Sequence, residues 1–263
     1  MIILSASLTS MAYLLVSLLQ GLSIFSKGKK PNKNLIIAIA LIAIMAHIHI
    51  LSSQIWTENG VILSLYNILS LISICFVNII LLSSFRKPVD NLFVFLFPFA
   101  ALSVLLSSIW GTDAAAKHFE LGLISHIFLS IIAYSILMIS AVQAILLWLQ
   151  NHQLKHNLNG RLTQVLPSLQ SMERLLFDLI LIGFVLLTLS IFTGIVFKGF
   201  AELSSPEIFQ KLIFTIVAWL IYLALLVGHL MLGWRGVIAS KLTIAGFVFL
   251  VIAFLGTKLL FIN

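Results

Sequence analysis

The chain has 263 residues, of which 61% are hydrophobic and 9% charged. A soluble domain is typically about 25% charged, and a disordered chain is far poorer in apolar residues, so composition excludes both and leaves an integral membrane protein. The net charge of +7 would point to nucleic acid in a soluble protein, but in a membrane protein it has first to be assigned to loops.

Eight apolar runs follow one another, at about 3–25, 34–53, 61–83, 91–110, 120–149, 176–198, 211–232 and 238–261. A spanning helix needs roughly 20 apolar residues. The runs therefore predict an all-α fold, a polytopic bundle of eight transmembrane helices forming a single integral-membrane domain, 1–263. The first run has no basic residue ahead of it and is followed by Lys27, Lys29, Lys30 and Lys33. A secretory signal has its basic residues first, so this run is expected to be a retained span.

The loops alternate in charge. One set, which includes Arg86, Lys87, Lys155, Arg161, Arg174, Arg235 and Lys241, holds 11 basic and three acidic residues. The other set, with Lys117, Lys198, Lys211 and Lys258, holds four basic and five acidic residues. Cytoplasmic loops carry the Lys/Arg excess, which predicts both termini on the periplasmic side and a cytoplasmic loop at 150–174. Loop sorting accounts for the whole net charge, so no nucleic-acid partner is expected, and the expected surroundings are the lipid bilayer. Within the 150–174 loop, Arg161 to Glu173 reads as a short surface helix broken near Pro167. His152 and His156 are spaced i, i+4, but no Asp, Glu or Cys stands close by to complete a metal set. The single cysteine, Cys75, makes no intrachain disulfide, and there is no C-x-x-C-H haem-attachment motif.

Ionisable side chains inside a membrane are costly and usually serve a site. Those within the runs are His47, His49, His126, Asp178 and His229. Imidazole is a proton switch and a metal or haem ligand. His47 lies 13 residues along the second run from Asn34, roughly 20 Å from the inner face. His126 lies six residues into the fifth, about 9 Å below the outer face and hence roughly 21 Å above the inner one. The two depths match, so His126 and His47 are candidate axial ligands to one haem iron. His49 points about 200° away from His47, and only one of the pair can face such a site. His229 lies near the inner end of the seventh run, too far away to share that iron, and could mark a second site. The alternative for each is an interhelical hydrogen bond. Gly183, Gly194, Gly228 and Gly246 fit close helix packing. No phosphate loop and no G-x-S-x-G elbow is present, and the lack of buried acid pairs leaves an ion-coupled transporter the weakest reading.

Several runs resemble the CcsA/CcmC-like cytochrome c assembly family. They are Trp219-Leu220-Ile221-Tyr222, Gly233-Trp234-Arg235-Gly236 and Ala245-Gly246-Phe247, preceded by Leu166-Pro167-Ser168-Leu169 through Glu173 and by Gly183-Phe184 through Thr193-Gly194. The resemblance covers about 120–261, with Leu63 to Ser70 only suggestive, and looks most like the HemX/YpjD branch. It implies a multi-pass bacterial inner-membrane protein that handles haem, with His126 as the external-side ligand and His47 and His229 as further matches. It implies haem b bound for transport, storage or an accessory assembly step, with haem and another membrane protein as partners. The family's synthases carry a tryptophan-rich W-G-x-x-W-x-W-D segment. The equivalent stretch here, Lys198 to Glu207, has no tryptophan, and no second histidine follows the last run, so catalysis is not expected and no catalytic residue is assigned. The alternative of another class is a cofactor-free scaffold or regulatory subunit of a membrane complex.

Overall fold

The computed structural model describes residues 2–25, 31–156, 166–202 and 205–256. Among the described residues eight helices are long and apolar enough to cross a membrane, and the protein is a polytopic helical membrane bundle, as the eight apolar runs predict. With no water in the bilayer core, a spanning backbone must bond to itself, and the helix does so within one segment. The contacts gather the chain into two compact units, Met1–Phe119 and Glu120–Asn263.

The first unit contains α1 (Ile2–Phe25), α2 (Lys33–Ile55), α3 (Leu65–Ser83) and α4 (Phe93–Trp110). α1 packs on α2 and α4, and α3 on α2 and α4. Asn32 caps α2 through Asn34 N, and Ser64 caps α3 through Asn67 N at 3.1 Å. The third apolar run was expected to be helical from 61. Instead, Trp56–Thr57 and Gly60–Val61 form an antiparallel hairpin, and Ser64 ends it by starting the helix. Val61 exchanges two 3.0 Å backbone hydrogen bonds with Lys117, which adds a third segment to the hairpin. Gly60 makes this possible, with φ at +121° and no Cβ to strike the Lys117 carbonyl. At the opposite end Lys33 Nζ reaches Asp90 Oδ2 and the Ser84 carbonyl, each at 3.0 Å.

Polar side chains tie the helices of this unit together at several points. Asn67 Nδ2 donates to the Ile62 and Gly111 carbonyls at 3.0 and 2.9 Å, tying the hairpin end to the end of α4. Ser107 Oγ lies 2.8 Å from both Asn67 Oδ1 and Gln54 Oε1. Further along, Ser73 and Ser103 join α3 to α4 at 2.6 Å. Pro98 stands inside α4 and has no N–H to offer the Val94 carbonyl one turn back. Ser17 Oγ of α1 supplies that bond at 2.9 Å.

The second unit contains α5 (Leu121–His156), α6 (Leu169–Glu202), α7 (Pro206–Leu232) and α8 (Gly236–Val251), the last running into a π-turn at Ile252–Gly256. α5 is its hub: 61% of its most apolar window is buried, against 22% for α6 and for α7. α5 and α6 run antiparallel, as shown by Leu137 against Gly183, Ser130 Oγ 2.6 Å from Ser190 Oγ, and Gln143 Nε2 donating to the Met172 carbonyl. The short surface helix expected over Arg161 to Glu173 is not separate in its described part. Residues from Leu169 belong to the first turns of α6, which Pro167 precedes and Ser168 starts by accepting from Met172 N at its carbonyl. Positions 161–165 of that reading lie outside the described residues.

The Ser17 bond yields a paired prediction. Ser17→Ala should lower the melting temperature in detergent by orphaning the Val94 carbonyl, a loss of about 0.6–2 kcal/mol. Adding Pro98→Ala, which restores the helical donor, should recover most of it. Equal melting of Ser17→Ala and wild type would show that the bond contributes nothing.

Candidate functional site

Three of the histidines inside the spans are held by hydrogen bonds, and the manner differs between the units. His47 on α2 is fully buried in the first unit. Its Nε2 lies 2.6 Å from Ser70 Oγ of α3, and its Nδ1 lies 3.2 Å from the Tyr13 hydroxyl of α1. Tyr13 in turn meets the His47 and Phe97 rings edge-on. The imidazole thus joins three helices, and both nitrogens are engaged. To bind a metal it would have to give up one of these bonds. His49, two residues on, is exposed.

The second unit anchors its histidines through backbone carbonyls. His126 sits in the first turns of α5, half-buried, with Nδ1 2.8 Å from the Ser190 carbonyl of α6 and 3.4 Å from Thr193 Oγ1. A carbonyl can only accept, so Nδ1 carries the proton and the lone pair of the neutral ring lies on Nε2. Metal-ligating histidines are commonly oriented in this way, the second nitrogen donating to a fixed acceptor. Gly194 lets the ring in, since a Cβ there would stand 2.8 Å from His126 Cε1.

His229 repeats the pattern at the other end of α6. Its Nδ1 donates to the Trp234 carbonyl at 2.9 Å, and its ring stacks on Phe177 with centroids 3.5 Å apart. The local sequence explains this geometry. Gly233 ends α7 in the left-handed region, at φ +68°, and the chain turns back so that Trp234 N donates to the Gly228 carbonyl at 3.1 Å. The Trp234 indole then lies over Gly228, where any Cβ would collide with it. Phe177 and Ser190, the α6 neighbours of the two histidines, are 13 residues apart in sequence, about 20 Å along the axis. His126 and His229 therefore cannot share one iron.

Among the described residues no three His, Cys, Asp or Glu side chains converge as a metal centre would need. The donor set offered is single imidazoles. That suits an iron whose remaining ligands come from a macrocycle, so a haem fits these residues better than a bare metal ion does. The remaining positions singled out in the sequence lie elsewhere. Asp178 is exposed on α6, and Tyr134 rests against Phe254. His152 is exposed with its ring 6.1 Å from Trp148, and the His156 side chain lies outside the described residues. Gly183, Gly194, Gly228 and Gly246 each meet a neighbouring side chain directly, as expected of close packing.

Tyr13, Ser70 and Asn67, and the carbonyls of Ser190 and Trp234, were not foreseen. Asn67 carried a signal, an amide inside an apolar run. The carbonyls carried none, because every residue has one. Two substitutions check the two kinds of anchoring. His47→Ala should destabilise the protein by about 1–3 kcal/mol, since it strands the Tyr13 and Ser70 hydroxyls, read as a lower melting temperature in detergent. Gly194→Ala should push the His126 ring off the Ser190 carbonyl, read as a shift of the His126 imidazole resonances in a selectively labelled sample. Unchanged resonances would mean that the helices part instead.

The sequence profile of the family described as "Cytochrome C assembly protein" matches residues 4–262. Among curated proteins, the "Inner membrane protein YpjD" of Escherichia coli K12 is 34% identical over 224 residues, covering 84% of each chain. The "Uncharacterized 28.8 kDa protein in nifR3-like 5'region" of Azospirillum brasilense is 26% identical over 133 residues, covering 51% of this chain and 49% of that one. No solved structure matches significantly. The whole-chain profile match, the level and extent of identity to the E. coli protein and the eight apolar helices agree: this chain is a multi-pass inner-membrane protein that belongs to the cytochrome c assembly family.

Proposed function

We propose that the protein binds haem b in the membrane and acts in its transport, storage or an accessory step of cytochrome assembly, without catalysing haem attachment itself. The observation that carries this reading is the anchoring of His126, whose Nδ1 is fixed on the Ser190 carbonyl with its lone pair on Nε2. Family membership supports a haem-related role in the inner membrane. His126 is the favoured iron ligand of the second unit, and His229, held in the same tautomer, is the candidate for a second position. When bound, the haem would supply a redox-active iron. The chain's part is to present a neutral imidazole and to fix its orientation through Ser190 or Trp234.

With the basic loops read as cytoplasmic, His126 lies toward the periplasmic side and His229 toward the cytoplasmic side. Two positions about 20 Å apart along one helix suit a protein that moves or holds haem across the membrane. The stretch Lys198 to Glu207 carries no tryptophan and so lacks the aromatic platform of the family's synthases, which favours a binding role over an enzymatic one. The second reading is a cofactor-free scaffold. The closed hydrogen-bond set around His47 favours it, because it accounts for that histidine as a tie between helices.

The test is the absorption spectrum of the detergent-purified protein before and after dithionite, with a pyridine haemochrome assay for stoichiometry. The expected result is a Soret band that sharpens and moves to longer wavelength on reduction, near-stoichiometric haem b, and pigment lost in His126→Ala. Neutral imidazole binds iron and imidazolium does not, so pigment should also be lost as pH falls below about 6. A protein without pigment, even after titration with haemin, would overturn the haem reading in favour of the scaffold.

A further inference from the structure

We infer that the seam between α6 and α7 is a joint at which the second unit opens sideways to the bilayer, with Trp219 held on Thr188 as its latch. This device goes beyond the haem reading above and does not depend on it. The joints of the unit are built differently. Helices in a membrane approach most closely where small residues meet their neighbours. α5 and α6 meet in that way, through Gly183 against Leu137 and Gly194 against His126, and α7 meets α8 through Gly246 against Tyr222. Gly183, Gly194 and Gly228, the glycines of α6 and α7 whose surroundings are described, are met first by Leu137, His126 and Trp234, so none of them draws α6 and α7 together. Rings span that seam instead. Phe177 stacks on His229 with centroids 3.5 Å apart, and Phe184 stacks on Trp219 at 5.4 Å. Each of the two helices has 22% of its most apolar window buried, against 61% for α5.

The latch lies at the exposed edge of this seam. Thr188 is exposed on α6, one turn beyond Phe184. Its hydroxyl donates to the Phe184 carbonyl at 2.8 Å, and its oxygen accepts from Trp219 Nε1 at 2.9 Å. No water stands ready in the bilayer to take over the indole N–H, so the bond holds the seam closed. Interhelical bonds of this kind are modest, and losing one shifts the closed-to-open ratio about three- to thirtyfold. The rest of the unit tolerates the movement. His126 is anchored on Ser190 within the α5–α6 pair, and His229 on Trp234 at the α7–α8 turn, so each histidine stays with its own side of the joint. Tyr134 against Phe254 and Asn151 against Gly236 keep α5 on α8, which is the hinge side. Opening parts Phe177 from His229 and gives an apolar molecule dissolved in the bilayer a sideways route to an imidazole that is still oriented.

The protein is labelled with fluorotryptophan and placed in nanodiscs with and without a phospholipid bearing a nitroxide on its acyl chain. Fluorine NMR follows the indoles, and Trp219 is assigned by the resonance lost in Trp219→Phe. Thr188→Val removes the acceptor at an exposed position, Thr188→Ser retains it, and Phe184→Ala removes the stack while leaving the bond. Thr188→Val is expected to raise the nitroxide broadening of Trp219 severalfold with the other indoles unchanged, and Phe184→Ala to move it in the same direction. Thr188→Ser is expected to match wild type. The latch is overturned if Trp219 broadens equally in wild type and Thr188→Val, or if all the indoles respond together, as in a general loosening of the bundle. No haem enters the experiment, so either result leaves the haem reading to its own test.

Discussion

A hydrocarbon core offers no water, so every polar group placed in it must find its partner within the chain. The helices meet that demand for the backbone, and the side chains meet it at a few chosen points. Pro98 shows how strictly. It removes one donor from α4, and Ser17 on α1 replaces that donor at the carbonyl left behind. Asn67 shows the same constraint used constructively. One amide collects Ile62, Gly111 and Ser107, so that the hairpin end of the first unit is fastened to two helices at once. An interhelical bond of this kind is modest in energy, but it fixes which helix faces meet.

The same constraint separates the histidines. Where an imidazole bonds on both nitrogens to hydroxyls of other helices, as His47 does, it ties helices together. Where it bonds on Nδ1 to a backbone carbonyl, as His126 and His229 do, its tautomer is set and the basic nitrogen is Nε2. Glycine governs both of the latter contacts. Gly194 leaves room for the His126 ring. Gly233 and Gly228 let Trp234 fold back far enough to put its carbonyl on His229. The G-W-R-G run is thus a helix ending whose geometry fixes a histidine.

The two units divide these tasks. The described polar side chains of the first unit mostly satisfy one another, leaving His49 as an outlying imidazole on an apolar face. The second unit is organised around α5 and carries both carbonyl-anchored histidines.

Composition and hydropathy determined the class of protein and the number of spans, because burial in a bilayer demands long uninterrupted apolar runs whatever the neighbours are. Glycines at helix contacts were legible for a similar reason, since a missing side chain predicts close approach. The start of α3 was not: the apolar run continues through Val61 and Ile62, and only the pairing of Val61 with Trp56 and Lys117 takes those residues out of the helix. The start of α6 was missed because the polar residues before Leu175 resemble a surface segment, whereas local capping by Ser168 extends the helix through them. The roles of the histidines belong to tertiary structure. The bonds of His47 run to Tyr13 and Ser70, 34 and 23 residues away in the chain. Which nitrogen of His126 carries the proton depends on the carbonyl of Ser190, 64 residues away. Such partners are set by how helices pack, and a backbone carbonyl, present in every residue, leaves no mark in the order of side chains.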